Sequence, residues 1–158
     1  MRGVPEYRPA ELRDLPQIAN LSWKLHTVDA IHFHEPTRDK YVARVVERFT
    51  DVNADGDFCH WVADLDGEII AVMSLRIVGQ MPTPGLFDGR WGYLANAYTL
   101  PDYRGQEIGT RLFEALKAWA NERACAVILV WPSEKSFPFY ERKGFTLPRA
   151  PMTLDLRE

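Results

Sequence analysis

Apolar residues recur first at helical spacing. Leu15, Ile18, Leu21, Trp23 and Leu25 follow Asp14-Leu15-Pro16-Gln17, which predicts a helix to about His26. Asp14 is its expected N-cap, with Pro16 in the first turn and Gln17 at the capping-box position. Thr37 is expected to cap a second helix carrying Val42, Val45, Val46 and Phe49. Turn-forming residues over 51–57 end the helical part. Residues 58–65 and 68–78 read as strands joined by the two-residue turn Asp66-Gly67. Residues 81–89, with two prolines and two glycines, read as a loop, and 90–100 as another strand. A helix over 107–123 places Ile108, Leu112, Ala115, Leu116 and Trp119 on one face. Residues 124–131 are apolar throughout and predict a strand buried on both sides. A short helix over 134–142, stopped at Gly144, precedes strands expected at 145–147 and 152–156. A strand at 6–9 opens the series.

The predicted order is β-α-α-β-β-β-α-β-α-β-β, and its natural solution is an α/β fold: one mixed sheet with about four helices on its faces. The 90–131 stretch is a strand-helix-strand crossover, so its two strands should be parallel neighbours. A length of 158 residues fits one domain, 1–158. A net charge of −3 argues against a general nucleic-acid binder. The longest apolar run, 124–131, is too short to cross a bilayer, and the N-terminus lacks an apolar signal core. A cytoplasmic protein with no membrane partner is the expectation. Cys59 and Cys125 are expected to be buried free thiols. His32-x-His34 lacks the further ligands of a familiar metal site, so no metal is expected.

Candidate chemistry concentrates in Tyr98-Thr99-Leu100-Pro101-Asp102-Tyr103-Arg104-Gly105-Gln106-Glu107-Ile108-Gly109-Thr110. A helix N-terminus offers unpaired N–H groups and a positive dipole end, and Arg104 adds a planar cationic fork. Together these suit a pyrophosphate. They also suit an ordinary strand-to-helix turn with incidental glycines, and the loop alone does not choose. Neither a Gly-Lys-Ser/Thr phosphate loop nor a Gly-x-Gly-x-x-Gly after the first strand is present.

Thr99-Leu100-Pro101-Asp102-Tyr103-Arg104, with Gly109 beyond, resembles the acetyl-CoA loop of the GNAT superfamily of N-acetyltransferases, Arg/Gln-x-x-Gly-x-Gly/Ala after Val-x-Pro-x-Tyr. Glu107 departs from it, standing where the family has its middle glycine. Phe139-Tyr140-Glu141-Arg142-Lys143-Gly144-Phe145 resembles the family's Leu-Tyr-Glu-Lys-Leu-Gly-Phe segment. The resemblance extends over almost the whole chain. It implies the GNAT fold and direct acetyl transfer from acetyl-CoA, a cosubstrate, to the primary amine of a small molecule or peptide.

By the same resemblance, the pantetheine arm lies where the 90–100 strand splays from the 124–131 strand. Ala97, Tyr98 and Thr99 would meet it through their backbone, and Arg104, Gly105, Gln106, Glu107, Ile108, Gly109 and Thr110 would hold the pyrophosphate. Ser133 stands where an arm-contacting Asn is common, and Pro138 interrupts the helix that would carry it. Tyr140 would protonate the departing thiolate. The resemblance leaves the general base open among His26, His32, His34, Glu35 and a water relay, since Asn96, Tyr98 and Thr99 are poor bases. Trp23, Phe33, Trp61, Trp91 and Tyr93 are candidate walls of an acceptor pocket, or core. A homodimer is compatible with the sequence. Glu107 and Ser133 motivate an alternative, a non-catalytic acyl-CoA sensor or partner-binding module on the same fold.

Overall fold

The computed structural model describes residues 3–27, 37–53, 56–147 and 154–156. Its strands are β1 (Glu6–Pro9), β2 (Phe58–Leu65), β3 (Glu68–Gly79), β4 (Arg90–Thr99) and β5 (Cys125–Val130). Its helices are α1 (Leu15–Thr27), α2 (Arg38–Asn53), α3 (Ile108–Glu122) and α4 (Phe137–Arg142). The strands form one sheet in the order β1-β2-β3-β4-β5, antiparallel except for the parallel β4–β5 pair. This is the mixed sheet with four helices that the sequence predicts.

The sheet is covered on both faces. Leu15, Ile18 and Leu21 of α1 pack with Val62, Val72 and Tyr98 on one side, while Ile108, Leu112 and Leu116 of α3 pack with Ala71, Leu75 and Leu94 on the other. β3 lies at the centre, so Ile69 through Leu75 are buried without a break. Asp66 and Gly67 both take positive φ, 53° and 90°, as the tight β2–β3 turn requires. At Gly92 an added Cβ would lie 3.0 Å from Leu75 Cδ1, so a larger residue there would make the Leu75 side chain shift.

Several expectations need correction. Asp14 does not cap α1: it ends a 3-10 turn, Leu12–Asp14, and its carboxylate accepts from Glu11 N at 2.7 Å. Gln17 instead ties α1 to the β2–β3 turn, accepting from Ile69 N at 2.9 Å and donating to Gly67 O at 3.1 Å. On α3, Phe113 and Ala120 are buried, leaving Ala115 and Trp119 half-buried. β5 is not buried on both sides. It is an edge strand among the described residues, and Val127 is 50% exposed. Pro138 does not interrupt a helix but sits in the first turn of α4, where its missing N–H costs nothing. Residues 145–147 and 154–156 form no strand, and 148–153 lie outside the described residues. The two thiols are free but half-buried rather than buried.

One ion cluster, with Asp14 buried and Arg8 and Asp64 half-buried, pins β1 to this frame. Arg8 Nη1 and Nη2 reach the Asp14 carboxylate at 2.7 and 3.1 Å, and Nη2 reaches Asp64 Oδ2 at 2.6 Å. The guanidinium holds both carboxyls below their ordinary range, with the hydrogen bonds from Arg8 as the main cause. Carboxylates with lowered folded-state pKa stabilise the fold above their unfolded value near 4 and lose that stabilisation as pH falls through the folded value. Arg8→Leu should therefore cost about 3 kcal/mol at neutral pH, as removing one partner of a buried pair does. Its deficit should narrow as pH falls toward 4, because the two carboxyls, no longer held down by Arg8, take up protons in the folded state and lose the acid-labile stabilisation they carry in the unmodified protein. Urea unfolding at pH 7 and pH 4 checks both; a deficit just as large at pH 4 would show that Arg8 does not govern these carboxyls.

Candidate active site

The site begins with a change of register in β4. From Ser74 to Val72 is two steps on β3, but from their partners Ala95 to Tyr98 is three on β4. The extra residue is accommodated at Asn96, whose φ is +53°. One inserted residue reverses the alternation of side chains. Leu94 accordingly packs on the α3 side and Tyr98 on the α1 side. β5 pairs with β4 only as far as Leu94–Val130. Residues 95–99 continue along β3 alone, and Leu100 N still donates to Ile70 O at 2.9 Å. Ala97, Tyr98 and Thr99 therefore lie on a stretch whose β5 side is unpaired.

β4 leads through the 3-10 turn Pro101–Tyr103 into α3. Gly105 takes φ +73° and Glu107, the residue preceding the helix, takes φ +61°. The first N–H groups of α3 have no intrahelical carbonyl to reach. Arg104 Nε donates to Thr99 O at 3.0 Å, and its guanidinium carbon lies 5.4 Å from the Tyr98 ring centre.

Thr99, Arg104, Gly105, Glu107, Ile108, Gly109 and Thr110 line one cleft of about 390 Å³, closed on the far side by Phe139 and Arg142. Two arginines and a helix N-terminus thus converge on one cavity, which is the donor set a pyrophosphate needs. At Gly109 an added Cβ would meet Phe139 only at ordinary contact distances of 3.5 and 3.7 Å. The protein's own packing does not demand glycine there.

Other candidates stand elsewhere. Gln106 is exposed and donates to Asp102 O at 3.2 Å rather than lining the cleft. Ser133 is exposed; its hydroxyl donates to Ser136 Oγ at 3.1 Å, while its carbonyl accepts from Ser136 N, building the turn before α4. Tyr140 is 5% exposed, its ring packed beside Phe139 and Phe145 at 5.2 and 5.3 Å. It lines a different hollow, of about 750 Å³, between β5, α3 and α4. That hollow is the larger and is mainly apolar. It follows the edge of β5 and is bounded by the last residues before 148, whereas the smaller cleft holds the converging cations. Burial pushes the Tyr140 hydroxyl up to about 12. His26 is exposed at the end of α1, its ring 6.5 Å from that of Tyr41. His32, Phe33, His34 and Glu35 lie outside the described residues.

Among the aromatic candidates, Trp61 packs against the α3 core and Trp23 against Tyr41. Tyr93 is 38% exposed and meets Trp131 edge-on at 5.1 Å, past the end of β5. Sequence reasoning missed Arg142, whose role as a second cation appears only when α4 folds back beside α3. No three His, Cys, Asp or Glu side chains gather as metal ligands among the described residues.

Known proteins share this fold. The model of the acetyltransferase (GNAT) family matches residues 15–145. A glucosamine 6-phosphate N-acetyltransferase of Trypanosoma brucei brucei is 32% identical over 99 residues, 63% of each chain, so the match spans less than two thirds of that relative. One of Dictyostelium discoideum is 26% identical over 114 residues, 70% of this chain and 71% of that one. A crystal structure of a predicted acetyltransferase from Clostridium acetobutylicum, solved with acetyl-CoA, superimposes with a TM-score of 0.83 at 25% identity over 96% of both chains. With the family match covering most of its length and the splayed sheet in place, this chain belongs to the acetyltransferase (GNAT) family.

Proposed function

We propose that this protein transfers the acetyl group of acetyl-CoA directly to a primary amine on a small molecule, both substrates being bound together. The observation that carries the reading is the junction itself, where β4, released from β5, runs into a helix N-terminus flanked by Arg104 and Arg142. Glucosamine 6-phosphate is the acceptor to try first, being the substrate for which the trypanosome and Dictyostelium relatives are named.

The residues fit acetyl-CoA. Arg104, Arg142 and the first turn of α3 would hold its pyrophosphate, and residues 97–99 would hydrogen-bond its arm. Bound there, it supplies an acyl group already activated as a thioester. The outward peptide N–H groups of this stretch, at residues 97 and 99, would be fixed donors for the negative charge that develops on the acetyl oxygen. The amine nitrogen forms the new C–N bond, the C–S bond breaks, the amine's proton passes to water or a nearby base, and the thiolate takes up a proton.

The thiols argue against a covalent relay through the enzyme. Burial pushes Cys59 up to about 11 and also raises Cys125, so both stay protonated and poorly nucleophilic near neutral pH. Tyr140 is the proposed proton donor. With its hydroxyl at about 12 and a simple thiol near 8.5, complete proton transfer is uphill by about 5 kcal/mol. Tyr140 therefore acts by hydrogen-bonding the sulfur as the C–S bond breaks, when that sulfur is most basic.

Tyr140→Phe should lower turnover of acetyl-CoA with the best amine about 10²-fold, as losing a general acid does. CoA affinity should hold, because the hydroxyl acts in the transition state. Unchanged turnover would assign the proton to solvent. CoA affinity without thiol release in the unmodified protein, across an amine panel led by glucosamine 6-phosphate, would make the chain a sensor.

Glu107 carries a negative charge and a left-handed backbone to the mouth of the proposed pyrophosphate site. Glu107→Gly should tighten CoA about 3- to 10-fold at low salt, roughly 1 kcal/mol. The gain should shrink as salt screens the exposed carboxylate. Calorimetric titration at two ionic strengths decides it: a gain indifferent to salt would point to the backbone rather than the charge, and a loss would give Glu107 a positive role.

A further inference from the structure

One row of buried polar side chains crosses the sheet from β2 through β3 to β4. His60 on β2 stands opposite Ser74 on β3, and Ser74 stands opposite Ala95, the residue before Asn96 on β4. His60 is 2% exposed and Ser74 fully buried. His60 Nδ1 and Ser74 Oγ are 2.6 Å apart, and Asn96 Nδ2 reaches the same Oγ at 3.4 Å. The Ser74 hydroxyl thus bonds both the imidazole and the Asn96 amide, which donates to it. Among the described residues, His60 Nε2 and Asn96 Oδ1 are buried without hydrogen-bond partners. The imidazole packs against Phe49 of α2 at 4.3 Å and Phe58 at 4.7 Å. Burial lowers its pKa to about 4, so it is neutral at physiological pH.

Nothing in the fold requires this row. Apolar side chains would fill the same space without leaving two polar atoms unsatisfied, each costing about 1–3 kcal/mol. The row ends at the one residue of β4 with positive φ, where the strand changes face and parts from β5. An asparagine tolerates that conformation better than most residues, but tolerance does not select it. A hydrogen bond from its side chain to a buried hydroxyl, itself held by a buried imidazole, does.

We propose that His60, Ser74 and Asn96 are positioning residues for acetyl transfer: the hydrogen-bonded row fixes the turn of β4 at Asn96, and with it the direction of the peptide groups at residues 97–99. This rests on the reading of β4 as the strand that holds acetyl-CoA. None of the three touches the reacting atoms. They act through the backbone, so their loss misaligns the donors when charge develops and leaves the pyrophosphate contacts intact.

Two substitutions at His60 separate this role from simple packing. His60→Phe keeps an aromatic ring against Phe49 and removes the nitrogen that meets Ser74. His60→Asn keeps a polar atom near the Nδ1 position and gives up the ring. Thiol release from acetyl-CoA is followed with glucosamine 6-phosphate and with an amine panel, beside the thermal midpoint of each variant. His60→Phe should lose about tenfold in kcat with KM for acetyl-CoA within twofold and its midpoint retained. His60→Asn should melt earlier yet hold most of its kcat. Activity that follows the melting order, with His60→Phe active and His60→Asn impaired, would overturn the proposal and leave the row as core. If the unmodified protein binds acetyl-CoA but releases no thiol with any amine, the functional reading fails first and the inference with it.

Discussion

One extra residue in β4 sets the geometry on which the site depends. Between the partners of Ser74 and Val72 the strand takes three steps where its neighbour takes two. That step moves Tyr98 to the α1 face while Leu94 stays on the α3 face. It coincides with the point where β5 and β4 separate. The backbone groups that β5 no longer pairs are left as donors and acceptors, and unpaired backbone beside a cleft is where a ligand gains most. Bonds to β3 keep this stretch rigid, so the separation fixes direction rather than giving mobility.

The electrostatics follow from the same path. β4 is delivered to α3 through a turn whose Arg104 is braced by Thr99 O, and α4 brings Arg142 to the other wall. Gly144, at φ +88°, ends α4 with Phe145 N on Tyr140 O and Gly144 N on Glu141 O. That closure turns the chain back and packs Phe145 against Phe113 and Tyr140. The tyrosine is thereby held in an apolar setting that keeps it protonated, and its neighbour Phe139 faces the cation-lined cleft.

Much of this was legible in the sequence, for local reasons. Asp66-Gly67, the amphipathic run from Ile108 and the glycine after α4 each carry their own geometry, so the hairpin, α3 and the end of α4 could be read directly. The bulge could not. Leu94, Asn96 and Tyr98 alternate like one face of a strand, and no local signal marks Asn96 as the residue that reverses the face. Asp14 and Gln17 fit the capping-box pattern, but Asp14 is drawn back to Glu11 N and to Arg8, a distant partner that no local pattern reveals. β5 looked doubly buried because its composition is apolar, but burial depends on what lies beyond the strand. Arg142 and the His60–Ser74–Asn96 row are long-range meetings that no spacing rule brings together.

The central claim is that acetyl-CoA lies along the parted edge of β4 with its pyrophosphate in the cation-lined cleft at the start of α3, and meets the larger apolar hollow beside β5 only at its thioester end, near Tyr140. Amide chemical shifts followed by NMR during titration with CoA test it most directly. The account predicts the largest, saturable shifts at residues 97–99 and 104–110 together. Saturable shifts confined to residues lining the other hollow, such as Lys117, Val127 and Leu147, with the start of α3 unmoved, would contradict it.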